Sequence, residues 1–489
     1  MSHAITPATS VEMPHRGEVT AAEWERLRRI ALLVAAGGAA AFVVLGLIHW
    51  LLHREEAPKQ LFVSYLVGYN YWLGSALGGL VFLMLQYVTG GAWGLFLRRI
   101  LEASASMILP LAVLFIPLIF GLIHYLRDPY QPPKQLFVSY LVGYSYWLGS
   151  ALGGLVFLML QYVTGGAWGL FLRRILEASA SMILPLAVLF IPMIFGMPIV
   201  YEEFGHWTPV HPDEPKLQFK AMWLSGPAVT VKAILYFACW IGMAYSFRRW
   251  SRQQDHGANG RLLERCETLG APGIVVYALT ITCASIDWVM SLNPDWYSTI
   301  FPAMFAVGQL LNGYAFALTV FLLLSDRAPF AGAVQPAHMR DFGSLLLAFV
   351  MFWAYMSFSQ FLLIWVGNLP EETPWYLQRS RGGWQFVVSF IALFHFAVPF
   401  ILLLLRDIKE HRRRLLAVAA GLMIMRFIDL FWWIEPSLNH YGEYFYWLLD
   451  IAAWTAIGGL YVWWFTGQLR SRPLLPWNDP YLAEVMRHE

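Results

Sequence analysis

The sequence predicts an all-α, polytopic transmembrane helix bundle. Hydrophobic residues make up 58% of its 489 residues and charged residues only 13%, a composition typical of membrane proteins and not of soluble domains. Apolar segments of about 20 residues, the length that crosses a bilayer, recur along the sequence with short connections between them. No stretch of the sequence is left over for a separate soluble domain.

Twelve spans are predicted from these apolar segments. The first follows a polar tail, residues 1–29, and is longer than the apolar part of a secretory signal peptide, so we expect it to remain in the protein. The predicted spans are 30–52, 62–87, 103–126, 137–162, 178–201, 224–247, 271–291, 301–324, 342–367, 385–405, 414–434 and 444–466. They form an N-terminal transmembrane bundle over 30–247 and a C-terminal one over 271–467, with a basic loop, 248–270, between them and a tail, 468–489, at the end.

An internal copy distinguishes the N-terminal bundle. The segment 58–121 returns at 133–196, 75 residues later, and only two positions differ. Structural repeats that pack in different surroundings diverge, because each copy must fit different contacts. Near-identity therefore indicates either a recent duplication or an assembly error in the sequence. Each unit holds two spans, so removing one unit would leave the predicted orientation unchanged.

The distribution of basic residues predicts the orientation. With the N-terminus inside, 23 Lys and Arg residues fall on the inner side and eight on the outer side. The positive-inside rule therefore places both termini and the basic loop in the cytoplasm. The net charge of +2 carries little information about partners, and the basic loop shows no nucleic-acid site.

The sequence predicts no redox centre or metal site of its own. Cys239, Cys266 and Cys283 lie far apart, with no CxxC or CxxCH spacing that would indicate a disulfide framework, an iron–sulfur cluster or a haem attachment. His206 and His211, in the predicted outer loop, fit no established metal-ligand spacing. We therefore expect no metal and no catalytic residue in this chain, and any redox centre on a partner.

Each copy of the repeat carries an arginine pair, Arg98/Arg99 and Arg173/Arg174, after its inner connection. The simplest prediction is an interfacial anchor, with the side-chain stems in apolar surface and the guanidinium groups at lipid phosphates. Glu177, just beyond the second pair, is either a proton entry point or an ion-pair partner of these arginines in the first helical turn.

Ionisable residues within predicted spans are concentrated in the C-terminal half. Asp287, Asp429 and Asp450 each lie about six residues from the outer end of a span, or about 9 Å deep at 1.5 Å per residue. Equal depth on three helices predicts a shared cluster. Lys232 lies about 12 Å deep in its own span, and an intramembrane lysine is a functional candidate.

A second group of polar residues lies deeper than the aspartates. Gln360 and His395 are predicted about 12 Å and 16 Å below the same face, and Tyr355 shares a span with Gln360. Arg426 and Asp429 are three residues apart on one helical face, which predicts a compensated ion pair. Such groups either form interhelical hydrogen bonds or, if water enters, line a proton route.

Several sequence blocks carry a family resemblance. They are SYLVGYNYWLGSALGGLVFLMLQYVTGGAWG, SIDWVMSLNPDWYSTIFP, FVMFWAYMSFSQFLLIWVGNLPEETPWYLQR and RGGWQFV. With these blocks the sequence, from Ile30 to about Gly467, resembles the F-subunit family of bacterial alternative complex III. That family belongs to the wider NrfD-like, polysulfide-reductase-type integral membrane subunits.

The resemblance implies ten spans, arranged as two four-helix bundles with one flanking helix at each end. Twelve spans, and hence the second copy of the repeat, depart from that pattern. A second departure is Gln86 and Gln161, where relatives are expected to carry histidine, and this weakens a proton role for the N-terminal bundle.

The resemblance also implies a function. Such a subunit lies in the bacterial inner (plasma) membrane beside a paralogous NrfD-like C subunit, an iron–sulfur subunit and haem-c subunits, which carry the iron–sulfur clusters and the haem c. The complex oxidises menaquinol or another quinol in respiratory or photosynthetic electron transport and passes electrons to cytochrome c or another periplasmic carrier. The proton-pathway residues implied here are Asp287, Tyr355, Gln360, His395, Arg426, Asp429 and Asp450.

Two other functions are compatible with the sequence. The chain could bind and oxidise quinol itself, which requires a lipid-accessible pocket near the outer face. It could also be a secondary transporter, but such proteins have diverged inverted halves with broken helices at the midplane. The direct, near-identical repeat argues against a transporter.

Overall fold

The computed structural model describes residues 134–165, 168–200, 222–255, 257, 260–293, 296–326, 329–330, 333–438, 447–470, 472–476 and 478–479. Several predicted features lie outside the described residues. They are the N-terminal tail, the first three predicted spans, the first copy of the repeat with Arg98 and Arg99, the loop 202–220 with both of its histidines, and the end of the C-terminal tail.

The described part of the chain is helical and contains no strand. Its α-helices, numbered in chain order, are α1 Lys134–Thr164, α2 Trp168–Ala180, α3 Ile183–Leu189, α4 Ile191–Val200, α5 Gly226–Asp255, α6 Gly260–Trp288, α7 Phe301–Leu324, α8 Pro336–Gly367, α9 Thr373–Gln378, α10 Trp384–Ile391, α11 Val398–Leu404, α12 Arg406–Glu410, α13 Arg412–Ile434 and α14 Trp447–Arg470. A π-helix, Ala392–Ala397, joins α10 to α11, and 3-10 turns follow α6 and α13.

Among the described residues, seven helical segments are long and apolar enough to cross a membrane, or eight if one bent pair counts as a span. This confirms the predicted membrane-protein class. The predicted span 301–324 coincides with α7, and the span predicted over 137–162 is α1, slightly longer at both ends. For these two strongly apolar segments, the local sequence pattern therefore predicts the helix bounds closely.

The span predicted over 178–201 is different in the structure. The helix begins at Trp168 and is interrupted around Ser181 and again at Phe190, where the axis bends by 42°. Pro192 follows the second break, and since proline has no N–H it cannot donate to the carbonyl four residues earlier. A proline near the middle of an apolar run thus converts one predicted span into a bent pair.

The basic segment 248–270, predicted as a loop, is mostly helical. α5 continues to Asp255 and α6 begins at Gly260, so only a short connection separates them. The segment is rich in Arg, Gln, Leu and Glu, all good helix formers, and its helices extend beyond the apolar region for that reason. Pro272 lies inside α6, and membrane helices tolerate an internal proline because neighbouring groups satisfy the freed carbonyl.

The central helix of the described bundle is α1. It packs against α7, α14, α2, α6 and α13, so a helix of the predicted N-terminal bundle contacts helices of the predicted C-terminal bundle. In both α1 and α7, 83% of the apolar window is buried inside the protein. These two helices therefore face other helices and not lipid.

Glycine allows α1 and α7 to approach closely. A Cβ on Gly153 would lie 2.3 Å from the backbone oxygen of Gln309, and one on Gly313 would lie 2.6 Å from the Cα of Gly153. Small residues at such crossings are characteristic of membrane helices, where close packing replaces the hydrophobic effect.

A buried arginine caps the C-terminal end of α13. Arg379, in the segment after α9, donates from Nη2 to the Trp433 carbonyl at 2.7 Å and to Ser437 Oγ at 3.0 Å. Its guanidinium also stacks on the Trp375 ring at 3.8 Å. Burial lowers the pKa of Arg379 well below its ordinary value. The carbonyl contact satisfies the C-terminal end of α13 and fixes the helix that carries Arg426 and Asp429.

Candidate functional site

A line of polar side chains runs along one face of α1, and we call it the polar face of α1. Its members are buried and are Gln135, Ser139, Tyr146, Ser150 and Gln161. At about 100° per residue they lie within about 80° of the helix circumference, and at 1.5 Å per residue they extend over about 39 Å. A polar stripe of this length crosses the full thickness of the described bundle.

Two carboxyl groups lie at the Gln135 end of this face, and we call them the carboxyl pair. Glu435 follows the last residue of α13, Asp450 is in the first turn of α14, and the two groups interact electrostatically. Gln135 donates from Nε2 to both oxygens of Glu435, at 3.0 and 3.1 Å. Asp450 lies close enough to Glu435 and Ser139 to interact with both, but neither of its oxygens makes a hydrogen bond of good geometry among the described residues. The glutamate is therefore the better hydrogen-bonded member of the pair.

Ser150 and Asn312 continue the polar face toward the other end. The Nδ2 of Asn312 donates to Ser150 Oγ at 2.8 Å and to the Tyr146 carbonyl at 3.1 Å. Ser179 donates to the Ser150 carbonyl at 3.1 Å and shares a hydrogen bond of 2.7 Å with the hydroxyl of Tyr461. Helices α1, α2, α7 and α14 thus meet through side-chain hydrogen bonds in the middle of the bundle.

Some polar atoms on this line lack a partner within the described part of the chain. They are Gln135 Oε1, Tyr146 Oη, Asn312 Oδ1 and Gln309 Nε2. Buried polar groups in native proteins are almost always hydrogen-bonded, commonly to internal water. The polar face therefore offers donors and acceptors for a chain of water molecules.

The ion pair predicted from the spacing of Arg426 and Asp429 is present. Both side chains are fully buried and in direct contact. The indole of Trp353 donates to Asp429 at 3.2 Å, and the Arg426 guanidinium lies 5.8 Å from the centre of the Trp433 ring. Gly308 makes room for this guanidinium, because a Cβ there would lie 2.3 Å from it.

His395 lies beside this ion pair in the π-helix between α10 and α11. Its ring packs edge-on against Trp353 with 4.3 Å between ring centres, and it is also within electrostatic range of Arg426. The side chain is fully buried, and neither ring nitrogen has a hydrogen-bond partner among the residues described. π-helical turns are rare and occur frequently at functional sites.

Asp287 belongs to a separate group. Its carboxylate accepts from Lys232 at 2.6 Å, from the hydroxyl of Tyr236 at 2.8 Å and from the indole of Trp223 at 3.0 Å. Lys232 also lies over the Trp223 ring, 4.0 Å from its centre. This carboxylate thus has three donors, one of them a cation, and is well compensated within the membrane.

The three aspartates predicted to share a cluster have different partners. Asp287 contacts Lys232, Asp429 contacts Arg426, and Asp450 faces Glu435. Equal depth along each helix does not determine which face of the helix a residue occupies. The expectation of one shared cluster is therefore wrong for the described contacts.

The remaining predicted residues, Gln360 and Tyr355, lie apart from these groups. Gln360 is buried and accepts a hydrogen bond of 2.8 Å from Ser298. The side chain of Tyr355, in α8, is 66% exposed. It therefore faces away from the interior of the described bundle, where the polar face of α1 lies.

The Gln161 end of the polar face is an ionic network. Arg173 donates to Gln161 at 3.1 Å and pairs with Asp479, and Arg174 pairs with Glu177 and Asp255. Both arginines are almost fully buried. The prediction of interfacial anchors at lipid phosphates is therefore wrong for Arg173 and Arg174, whereas the predicted alternative for Glu177, an ion pair, is present.

Several residues of the site were not singled out from the sequence. Glu435 follows a run of tryptophans at the end of a span, where an acidic residue is ordinarily interfacial. Trp353 and Gln135 appear in the sequence as an ordinary aromatic and a loop residue. A signal was available for the polar face, since its members recur at spacings that share one helical face.

No group of three or more His, Cys, Asp or Glu residues within the described ranges could hold a metal ion. The chemistry that the arrangement supports is proton exchange between carboxyl, hydroxyl, imidazole and water groups. No protein-family model matches this sequence, and no curated protein matches it either.

A substitution tests the Asp287 group. We expect Lys232→Met to destabilise the protein by about 3 kcal/mol, because the buried Asp287 carboxylate loses its cation and keeps only neutral donors. Thermal unfolding of the purified protein in detergent measures the effect. Arg249→Met, at an exposed position of the same helix, is the matched control and should leave the unfolding temperature nearly unchanged. Equal unfolding temperatures for both variants would contradict the assignment.

Proposed function

We propose that this chain is a proton-conducting integral membrane subunit of a quinol:electron-acceptor oxidoreductase of the alternative complex III type. Two independent lines support the proposal. The sequence blocks around IDWVMSLNPDWYST and WAYMSFSQFLLIWVGNLPEE resemble that family. The polar face of α1, with titratable groups at both of its ends, has the composition that proton transfer requires.

The observation that carries the proposal is the carboxyl pair. Two carboxyl groups are buried together, and no Lys, Arg or His of the described residues is within ion-pair distance of Glu435 or Asp450. Two like charges at one buried site are strongly unfavourable, so the pair retains a proton. A retained proton beside a line of hydrogen-bonding groups is what a proton-conducting route needs at its entrance or exit.

The route that we propose from the pair follows the polar face of α1, a helix of the predicted N-terminal bundle, whereas the resemblance implied a route through C-terminal residues. Gln135 and Ser139 are hydrogen-bonded to each other at 3.0 Å beside the carboxyl pair. Ser139 is about 10 Å from Tyr146 along the helix, a gap that two or three water molecules would bridge. Tyr146, Asn312 and Ser150 then lead to Ser179 and Tyr461, and the line ends near Glu177.

The Arg426 and Asp429 ion pair lies beside this route and influences the electrostatic potential along it. The guanidinium acts electrostatically on Tyr146 and Tyr277, and its compensation by Asp429 limits the barrier that a buried cation would present to a passing proton. His395, beside this ion pair, adds two ring nitrogens that have no hydrogen-bond partner among the described residues. In this arrangement Arg426 and Asp429 set the field along the route, and the carboxyl pair holds the proton.

The wider assembly follows from the same proposal. The chain has ten spans in the family pattern, or twelve if both copies of the repeat are present, arranged as two four-helix bundles with flanking helices. Both termini are cytoplasmic, which places the carboxyl pair toward the outer side of the bacterial inner membrane. The paralogous C subunit, the iron–sulfur subunit and the haem-c subunits carry out electron transfer from quinol.

Proton flux in vesicles tests this function. The complex is reconstituted with a pH-sensitive dye inside, and quinol oxidation and proton flux are recorded together. We expect Asp450→Asn and Glu435→Gln to lower proton flux per turnover by about tenfold or more, because the pair can no longer exchange its proton. Glu371→Gln, an exposed carboxylate in a different segment, is the control and should match the wild type.

The outcomes separate the alternatives. Unchanged proton flux in both variants, with the complex assembled, would contradict a conducting role for the pair. Loss of quinol oxidation together with proton flux would favour the chain as a quinol-oxidising subunit in its own right, and protection by quinone analogues would then be expected.

A further inference from the structure

A cleft lies at the Gln161 end of the bundle, among the ends of α2, α5 and α14. Its enclosed part has a volume of only about 10 Å³, room for about one water molecule, and the rest of the cleft is open to solvent. It is lined by Arg174, Glu177, Ala178, Arg248, Gln468, Leu469 and Arg472. Three arginines and a single carboxylate therefore face the same space. The residues come from three separate helices and the segment after α14, so the cleft is formed by the tertiary structure and not by one helix end.

Positive charge is in excess around this cleft. Arg252 is close enough to act electrostatically on both Arg248 and Arg472, which makes four arginines with Arg174. The described carboxylates that oppose them are Glu177 and Asp255. Among the described residues, four positive and two negative groups leave a surplus of two positive charges. Arg173 does not change this balance, because it is paired with Asp479.

Hydrogen-bond donors in the cleft are also incompletely used. Within the described chain, the Nε–H groups of Arg174 and Arg472 are buried without an acceptor. Arg248 donates to the amide oxygen of Gln468 and has no carboxylate within ion-pair distance in the described part of the chain. Burial, together with the nearby guanidinium groups of Arg174 and Arg252, lowers the pKa of Arg472, although Glu177 opposes this shift. An anion would relieve the repulsion and accept the free donors.

We propose that this cleft is a binding site for a phosphate group. Arginine guanidinium groups bind phosphate oxygens through paired, charge-assisted hydrogen bonds. Basic pockets between membrane helices bind the head groups of anionic phospholipids, and the cleft lies where α5 and α14 leave the apolar region. The phosphate comes either from such a head group or from a soluble phosphate, and the site recognises the chemistry that both share.

The cleft adjoins one end of the proposed proton route, because Glu177 lines the cleft and lies near the end of the route. Glu177 in the cleft already accepts from Arg174, Arg472 and Ser251, and the ion pairs of Arg174 would stay in place. A phosphate would therefore be held at the open side of the cleft by Arg248, Arg472 and Gln468, without displacing this carboxylate. Bound phosphate would tie α5 to the segment that follows α14. Its expected effect is thus on stability and lipid retention.

The test measures binding by the purified full-length protein. Thermal unfolding is followed in detergent after delipidation, with phosphatidylglycerol, phosphatidylcholine or inorganic phosphate added in separate arms, and retained lipid is identified by native mass spectrometry. We expect phosphatidylglycerol to raise the unfolding temperature and phosphatidylcholine to leave it nearly unchanged. Arg248→Gln should weaken the apparent affinity by about tenfold, a loss typical of one charge-assisted contact, because Arg248 has no acidic partner that the change would leave unpaired.

A matched control variant and the separate lipid and phosphate additions distinguish the possible outcomes. Arg249→Gln removes the same charge from the neighbouring, exposed position and should bind as the wild type does. Stabilisation by inorganic phosphate alone, lost in Arg248→Gln, would assign the site to a soluble phosphate. Equal affinity in Arg248→Gln, Arg249→Gln and the wild type, or equal stabilisation by phosphatidylcholine, would overturn the proposal. None of these outcomes depends on proton flux.

Discussion

Replacing Asp429 by Asn should destabilise this protein by about 3–5 kcal/mol, the cost of leaving a buried charge without its partner. The substitution preserves the shape of the side chain but removes its charge. Arg426 is fully buried, so its guanidinium would keep a charge that no carboxylate balances. Trp353 can still donate to the amide oxygen, so the loss is electrostatic and not a loss of packing.

A double variant separates charge from structure. Arg426→Met with Asp429→Leu removes both charges and keeps apolar volume, and such replacements of buried ion pairs are often neutral or stabilising. Thermal unfolding in detergent should therefore show a lowered transition for Asp429→Asn and recovery in the double variant. Recovery of stability without recovery of proton flux would identify the pair as part of the conducting region. A double variant as unstable as the single one would show that the pair contributes through specific contacts.

The second large effect is expected at the crossing of α1 and α7. Gly153→Ala should destabilise the protein by about 3 kcal/mol, at the upper end of the usual range for overpacking. A methyl group there would lie 2.3 Å from the Gln309 carbonyl oxygen. Backbone atoms cannot rotate away as a side chain can, so the two helices must separate, and α7 would carry Gln309 and Asn312 away from the polar face.

Gly421→Ala is the matched control for this substitution. Gly421 lies within α13, and no atom is within 4 Å of a Cβ placed there. Alanine is favoured over glycine in a helix by about 1 kcal/mol, so this variant should be as stable as the wild type or more so. Thermal unfolding of the two variants under the same conditions makes the comparison. An equal effect at both positions would mean that helix propensity, and not the close approach, governs position 153.

The site could be predicted from the sequence only where partners are close along the chain. Arg426 and Asp429 are three residues apart, and helical geometry alone places them on one face. Lys232 and Asp287, by contrast, are 55 residues apart, and Gln135 and Glu435 are 300 residues apart. Depth within a span can be read from sequence, but the rotation of each helix about its axis depends on what packs against it.

The arginine pair in the repeat illustrates the same limit. From sequence alone, Arg173 and Arg174 are two basic residues at the end of an apolar segment, which is the common pattern of an interfacial anchor. In the structure their acidic partners come from α2 itself, from the end of α5 and from the C-terminal segment. Glu177 is close enough in sequence to be predicted as a partner, but Asp255 and Asp479 are distant and gave no local signal, so the burial of both arginines could not be anticipated.

The sequence by itself determined that this is an all-helical membrane protein and where most of its described spans lie. That information is local, because the length of an apolar run and its helix-forming residues decide whether a segment can cross a bilayer. Only the tertiary structure decided which polar groups meet. It brought Glu435 next to Asp450 and Lys232 next to Asp287. It also placed the polar face of α1 against α7 and α14, and buried Arg174 among acidic partners. The physical reason is that in a low-dielectric interior each buried polar group needs a partner, and here the partners lie on other helices.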